Sequence, residues 1–266
     1  MQDKYFVTSD IHGAYDQLVK ALDEKGFDRE NPQHKLIVCG DIFDRFPQPK
    51  ETLTFLKKLG DRFVFVRGNH EYLLEKCVHD LCKGFTPADH HFTNGTMDTI
   101  SQLTGIKLED ICSLKIGILR EIWANMQPTL AWIREKSVNY YELGDYIFVH
   151  GWFPPALLEK REEWDLDENQ FLWEDATWLN GMREWQWGCN LEGKTVVCGH
   201  WHCSWGWSHI RQERKEFPNR GGDPKLQLWK KCFEPFIDKG IVALDSCVAY
   251  TGFLNCIVID GGKIKL

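Results

Sequence analysis

The sequence predicts an α/β fold built around a partly parallel sheet. Two observations carry that expectation. Short apolar runs rich in Val, Ile and Phe recur along the chain, each about one strand long and each ending in polar residues. Between the first three lie segments of helical periodicity, so strand, helix, strand, helix and strand follow one another as a βαβ pattern.

The first run is "KYFVTSD" at 4–10. In "AYDQLVKALDEKG", which follows, Leu18, Val19 and Leu22 share one helical face and Gly26 is placed to end the helix. The second run is "KLIVCGD" at 35–41. "PKETLTFLKKLG" then starts on Pro49, carries Leu53, Leu56 and Leu59, and stops at Gly60. The third run is "RFVFVRGNH" at 62–70. Residues 71 to about 135 read as mostly helical, with a break near Pro128, and we expect a helical insert at about 80–137. "YYELGDYIF" predicts a hairpin whose second strand continues as "DYIFVHG" at 145–151. The later runs are "KTVVCGH" (194–200), "GIVALDS" (240–246) and "FLNCIVID" (253–260). Residues 204–239, with Gly221, Gly222 and several prolines, read as a long loop. No repeat, low-complexity tract or linker divides the chain, so residues 1–266 are expected to form a single domain.

Composition narrows the function. Hydrophobic residues make up 43% of the chain, enough for a real core. Against 32 Lys and Arg stand 39 Asp and Glu, a formal charge of −7. That balance argues against a broad phosphate-tracking face, so neither a nucleic-acid partner nor nuclease activity is expected. No apolar run reaches the length of a membrane span. "MQDKYFVTSD" enters a strand directly, with charges where a signal peptide would be apolar. The ten cysteines include no C-x-x-C pair, and several sit inside strand-like runs as small hydrophobes. A cytoplasmic protein with reduced thiols is the expectation.

Five of the runs end in residues that bind divalent metals. The first gives Asp10 and His12; the second gives Asp41, with Asp44 and Arg45 beyond it. The third gives Asn69 and His70, preceded by Arg67; the fourth gives His150, and the fifth His200 and His202. In open α/β sheets ligands bind beyond the carboxyl ends of strands, so these residues would meet on one rim. Carboxylate, imidazole and amide oxygen together suit Mn²⁺, Fe or Zn²⁺ better than an all-oxygen Ca²⁺ cage. Asp41 can bridge two ions, with Asp10, His12 and His202 completing one site and Asn69, His150 and His200 the other. Glu71 is read as part of the helix start rather than of the site. "CGHWHC" at 198–203 also admits a structural zinc reading through Cys198 and Cys203. Strand alternation sets Cys203 on the face opposite Cys198, His200 and His202, which disfavours it.

"SDIHG", "GDIFDR", "RGNHE", "VHG" and "GHWH", in that order, resemble the motifs of the calcineurin-like metallophosphoesterases. "GDxxDR" and "RGNHE" resemble the phosphoprotein phosphatase branch, with its bacterial and phage members and the related symmetric diadenosine tetraphosphatases. "ALDSCVAYTGFLNCIVID" resembles that branch's C-terminal strand pair. The resemblance is weakest over 80–140 and 203–239. It implies two facing mixed β-sheets flanked by helices, with a dinuclear metal centre at their rim, manganese being the first choice. It implies attack on phosphorus by a metal-bridging hydroxide. Arg45 and Arg67 would hold phosphate oxygens, and His70, oriented by Asp44, would protonate the leaving group.

The branch implies a serine/threonine protein phosphatase acting on phosphorylated protein or another small phosphoester. Hydrolysis of a nucleotide of the diadenosine tetraphosphate type is the alternative. Twelve tryptophans, most of them from Trp152 onward, offer faces for bases, although core packing is the commoner use of indole. A non-catalytic metal-binding scaffold is the third possibility, and the full set of ligands argues against it. Three departures from the motifs bear on substrate. Phe46 stands where the family has Gly. Glu174 and Asp175 lie around the position of a third arginine, for which Arg183 is a candidate substitute. "DSC" at 245–247 replaces "DSG" or "DTG".

Overall fold

The computed structural model describes residues 3–212 and 230–265. The first strands are β1 (Lys4–Thr8), β2 (His34–Cys39), β3 (Phe63–Val66) and β4 (Ser137–Val138). Then come β5 (Tyr141–Leu143), β6 (Tyr146–Phe148), β7 (Thr195–Cys198), β8 (Phe236–Asp238), β9 (Ile241–Ala243), β10 (Ile257–Asp260) and β11 (Lys263–Lys265). They form two mixed sheets, ordered β11-β10-β1-β2-β3-β4 and β5-β6-β7-β9-β8. β1, β2 and β3 are mutually parallel, as are β6, β7 and β9. The expected hairpin joins β5 and β6 in antiparallel register.

Side-chain alternation stacks the sheets face to face. Val7, Ile37, Cys39, Val66, Phe148, Val197, Val242, Leu244, Ile257 and Ile259 form one buried cluster drawn from both sheets. Their neighbours along the strands point the other way. Phe6, Leu36, Val38 and Val258 join the core under the helices of the first sheet. Ile147, Val196, Cys198, Ile241 and Ala243 join a core on the outer face of the second. Strands buried on both faces explain why the runs read as continuously apolar rather than alternating.

Helices α1 (Tyr15–Glu24) and α2 (Pro49–Leu59) bury Leu18, Leu22, Leu53 and Leu56 in the first of these cores. Then follow α3 (Asn69–Cys82), α4 (Asp89–Thr93), α5 (Thr96–Thr104), α6 (Leu108–Cys112) and α7 (Ile116–Lys136). The helical stretch therefore begins at Asn69, on the last residues of the "RGNHE" motif. Pro128 lies inside α7 and does not break it. A helix-interior proline costs about 3 kcal/mol. Leu119, Ile122 and Met126 before it, and Leu130 and Ile133 after it, are all buried in one core, and that packing overrides the local preference.

The segment expected as a loop over 204–239 contains regular structure at both of its described ends. Helical turns occupy Cys203–Trp205, Gly206–Ile210 and Lys231–Phe233, and Phe236–Asp238 is strand β8. Trp205, Trp207 and Phe236 anchor it on the second sheet's outer core, a tertiary gain that turn-rich composition hides. Residues 213–229 of that segment lie outside the described residues. Among the described residues no helix is long and apolar enough to cross a membrane.

Candidate metal centre

Six parallel strands deliver polar residues to one place. Past β1 come Asp10 and His12, past β2 Asp41, past β3 Asn69 and His70. Past β6 comes His150, past β7 His200 and His202, and past β9 Asp245. The two sheets are joined at this rim by the His200 backbone N–H, which donates to the Asp10 carboxylate at 3.0 Å, while within the second sheet Gly199 N–H donates to the His150 carbonyl at 2.7 Å. Close approach leaves no room for larger motif residues. A Cβ on Gly199 would lie 1.7 Å from Ser9 Oγ, and one on Gly40 2.3 Å from His150 Nδ1. Asp10, His12, Asp41, Asp44, Arg45, His200 and Cys247 all have positive φ. Strand alternation therefore stops at Cys198, and the periodicity argument extended through His200 and His202 does not hold there. The turn aims them instead.

Asp41 sits at the middle. His12, Asp41 and His70 place ligand atoms within 4.8 Å of one another, and so do Asp41, His150 and His200. His12 Nδ1 donates to the Phe43 carbonyl at 2.9 Å, which leaves Nε2 facing Asp41 at 3.8 Å. His150 Nδ1 donates to the Cys39 carbonyl at 2.7 Å, which turns its Nε2 to Asn69 Oδ1 at 2.8 Å and Asp41 Oδ1 at 3.3 Å. Backbone carbonyls thus select the ring nitrogen each imidazole presents, as is usual for metal-ligating histidines.

Beside this group stands a second arrangement. His70 Nδ1 donates to Asp44 Oδ2 at 2.7 Å, and Thr96 from α5 donates to the same oxygen at 2.9 Å. His70 Nε2 lies 3.4 Å from a nitrogen of the Arg45 guanidinium. Arg45 is exposed, whereas Asp44 and His70 are buried. A cation therefore stands at the mouth with an oriented imidazole behind it. Phe46 is half-buried and packs on the core of the first sheet.

Other expected residues fall differently. His202 Nε2 lies 3.8 Å from Asp245 and does not join either group around Asp41. Arg67 is turned to α3, where it forms an ion pair with Glu75 and stacks on Tyr72. Arg183 lies over Trp187 and 3.6 Å from Glu184. Cys198 and Cys203 are buried and belong to neither metal-capable group, and no disulfide forms among the described residues.

One residue escaped the sequence reading, and another does more than expected. Asp245 is buried at the end of a sixth run whose apolar-then-Asp pattern matches the first two, and that pattern was the signal available. Glu71 is buried too; its carboxylate accepts from the backbone N–H groups of Asp41, Ile42 and Gly68 at 2.9–3.1 Å. It serves as the helix-start residue expected, and it also fixes the loop that carries Asp41.

The electrostatics ask for positive charge. Burial raises the Asp10 pKa to about 8, helped by the nearby Asp245. Burial also raises Asp245 to about 7 and Glu71 to about 7. Burial opposes a charge on His150, yet Asp41 outweighs it and lifts that imidazole to about 10. Burial, then the neighbouring His150, lowers His200 to about 3. Carboxylates buried this closely must bind protons or cations. Neutral imidazole nitrogens, an amide oxygen and carboxylates aimed at common points are the donor set that divalent transition ions take. The residues fit such ions.

The calcineurin-like phosphoesterase family matches residues 4–204, three quarters of the chain. The chain belongs to the calcineurin-like phosphoesterases. That family is one of phosphoester hydrolases that depend on a dinuclear metal centre. Among curated relatives, a symmetrical bis(5'-nucleosyl)-tetraphosphatase of Aromatoleum aromaticum is 27% identical over 151 residues, covering 57% of this chain and 45% of that protein. Another, from Aeromonas hydrophila, is 47% identical over 62 residues, 23% of this chain and 22% of that protein. The metallophosphoesterase thus spans less than half the length of these relatives. A cold-active protein-tyrosine phosphatase of a Shewanella species shares its fold with TM-score 0.54 at 15% identity, covering 99% of this chain and 77% of that one. So does a protein serine/threonine phosphatase from Saccharomyces cerevisiae, with TM-score 0.52 at 13% identity over 98% and 74%.

Proposed function

We propose that the metallophosphoesterase hydrolyses phosphomonoesters, with phosphoserine and phosphothreonine in protein as the first substrates to test. The observation that carries this is the Arg45–His70–Asp44 line beside the metal-capable group. Two divalent cations, Mn²⁺ by preference, would supply a hydroxide nucleophile at neutral pH and polarise the phosphoryl oxygens. His12, His150 and His200 would hold them together with Asp41 and the neighbouring Asn69, and Asp10 and His202, which lie outside the two groups around Asp41, are the further ligands that the family pattern implies. Arg45 offers its guanidinium fork to phosphate oxygens at the open side. His70 gives a proton from Nε2 to the leaving alkoxide, while Asp44 holds Nδ1 and steadies the imidazolium. Thr96 fixes Asp44 in turn, which ties the helical stretch to the acid. We treat the chain as one domain, because the helices of 69–136 both complete the first core and carry His70.

A second reading, hydrolysis of a dinucleoside polyphosphate, has its own support. Trp178 is 48% exposed with its ring edge-on to His200 at 5.8 Å, and Trp201 is 40% exposed. The expected core role holds for Trp152, Trp164 and Trp173, which are buried with their indole N–H groups bonded to backbone carbonyls. Trp178 presents an exposed ring beside His200, and Trp201, also exposed, follows His200 in the chain, so indole faces are available near the centre for a base to stack on. The curated relatives, named symmetrical bis(5'-nucleosyl)-tetraphosphatases, point the same way.

Phosphate release from a phosphopeptide and from diadenosine tetraphosphate, assayed in parallel on Mn²⁺-reconstituted protein, separates the two. Under the first reading the phosphopeptide has the higher kcat/KM and Trp178→Ala leaves it within about threefold. Under the second the tetraphosphate leads, and Trp178→Ala lowers its kcat/KM by about tenfold or more. No turnover of either would remove both.

A further inference from the structure

We propose that Glu75 is a positioning residue that competes with the substrate's phosphate for the guanidinium of Arg67. The inference rests on the phosphate-binding role that the family resemblance implies for Arg67 and adds what controls it. Arg67 follows β3, two residues before Asn69. One of its terminal nitrogens is ion-paired with Glu75 on α3, and its guanidinium carbon lies 4.0 Å from the centre of the Tyr72 ring. The other oxygen of Glu75 accepts from Arg134 of α7 at 3.0 Å. Side-chain exposure is 14% for Arg67 and 18% for Glu75, so the pair is only lightly screened by water. Arg67 Nε is buried and has no hydrogen-bond partner.

These facts describe a guanidinium held but not satisfied. A buried unpaired N–H carries a free-energy cost that a better acceptor would remove. Phosphate has oxygens enough to take Nε and a terminal nitrogen together, as a fork that the present Glu75 contact does not complete. Arg134 makes the exchange cheap, because Glu75 keeps one cation when Arg67 turns to substrate. Glu75 therefore weakens phosphate binding in substrate and product alike, which favours product release.

The test uses the full chain reconstituted with Mn²⁺, para-nitrophenyl phosphate as substrate and inorganic phosphate as inhibitor. Glu75→Gln should lower both KM and the phosphate inhibition constant about fivefold, with kcat within about twofold. Glu75→Asp, which keeps the charge, should stay near the parent. Arg67→Ala should raise both constants, and adding Glu75→Gln to it should change nothing more. Arg134→Gln, at a position 45% exposed and so safe for folding, should raise both constants about twofold by leaving Glu75 to Arg67 alone. If Arg67→Ala leaves both constants unchanged, Arg67 holds no phosphate and the proposal falls with that reading. If Arg67→Ala raises them but Glu75→Gln does not lower them, competition is refuted while the role of Arg67 stands. Should Glu75→Gln fail to fold, Arg134→Gln decides: unchanged or lower constants overturn the proposal.

Discussion

Replacing Asp245 with Asn should move metal-free stability and metal affinity in opposite directions. Asp245 is buried, accepts one backbone N–H from Cys247 at 2.7 Å, and lies 3.8 Å from His202. Burial raises its pKa from 3.8 to about 7, the nearby Asp41 adding to the rise. A raised carboxylate pKa means that the folded state favours the neutral form. The contribution to stability is thus complete below pH 3.8 and is lost as pH climbs through 7. That rise corresponds to at most about 4 kcal/mol at pH 8, and sharing of protons with Asp10 halves it to about 2 kcal/mol. Asn carries no charge at any pH, so metal-stripped Asp245→Asn should melt about 4–8 °C above the parent at pH 8. The gap should close toward pH 4. Mn²⁺ should reverse the order, since the loss of one carboxylate weakens metal binding by about 10- to 100-fold. Thermal melts with and without Mn²⁺ at the two pH values give all four numbers. A stripped variant that melts at or below the parent at pH 8, or that binds Mn²⁺ as tightly as the parent, would refute the account of Asp245 as a buried charge awaiting a cation.

Other outcomes follow from the same geometry. His70→Asn should cut kcat by about 10²- to 10⁴-fold, while elemental analysis still finds metal through the His150 side of the centre. Burial lowers the His70 pKa, but Asp41 and then Asp44 overcome it and leave it raised. Asp44→Asn should therefore bring the alkaline limb of the pH–rate profile to lower pH, and an unmoved limb would sever His70 from acid catalysis. Chelation should abolish turnover and Mn²⁺ should restore it; activity that survives full chelation, checked by elemental analysis, contradicts the metal assignment. Gly199→Ala, whose Cβ would meet Ser9 Oγ at 1.7 Å, should destabilise the fold by about 1–3 kcal/mol in denaturant titration.

What could be read from the sequence follows a physical divide. Strand cores and strand ends were legible because backbone pairing and apolar burial act on residues close in the chain. All seven runs contain strands of the described structure. Parallel strands must then end on the same side, so a metal-binding residue at each end implied a shared rim. Asp245 obeyed that rule and was still missed, because its run was read for fold and not for chemistry. The failures are tertiary. Nothing near Pro128 reveals that a buried face continues across it. Nothing within "RGNHE" reveals that Glu75, eight residues beyond Arg67, takes that arginine's charge. The short β4, β8 and β11 were invisible because strands of two or three residues carry no periodicity of their own.

The positive-φ residues show why the motifs are so compact. Of nine non-glycine residues with positive φ among the described residues, seven are Asp10, His12, Asp41, Asp44, Arg45, His200 and Cys247, all at or beside the centre. A strained backbone of this kind costs on the order of 1–3 kcal/mol per residue and persists only where its surroundings over-determine it. Here the surroundings do so through bonds that cross between motifs. His12 N–H donates to the Asp41 carbonyl, Phe46 N–H to the His12 carbonyl, and Glu71 braces the Asp41 turn. Each strained turn is thus held by a different motif, and no single motif would keep its shape alone. A strand end in left-handed geometry reverses the chain within one residue and lets two donors such as Asp10 and His12 face the same point. Extended geometry would keep residues two apart on one face but hold them about 7 Å from each other along the strand. The order and brevity of "SDIHG", "GDIFDR" and "GHWH" follow from that requirement: the chemistry needs closely spaced donors on one side, and only a mutually braced set of turns provides them.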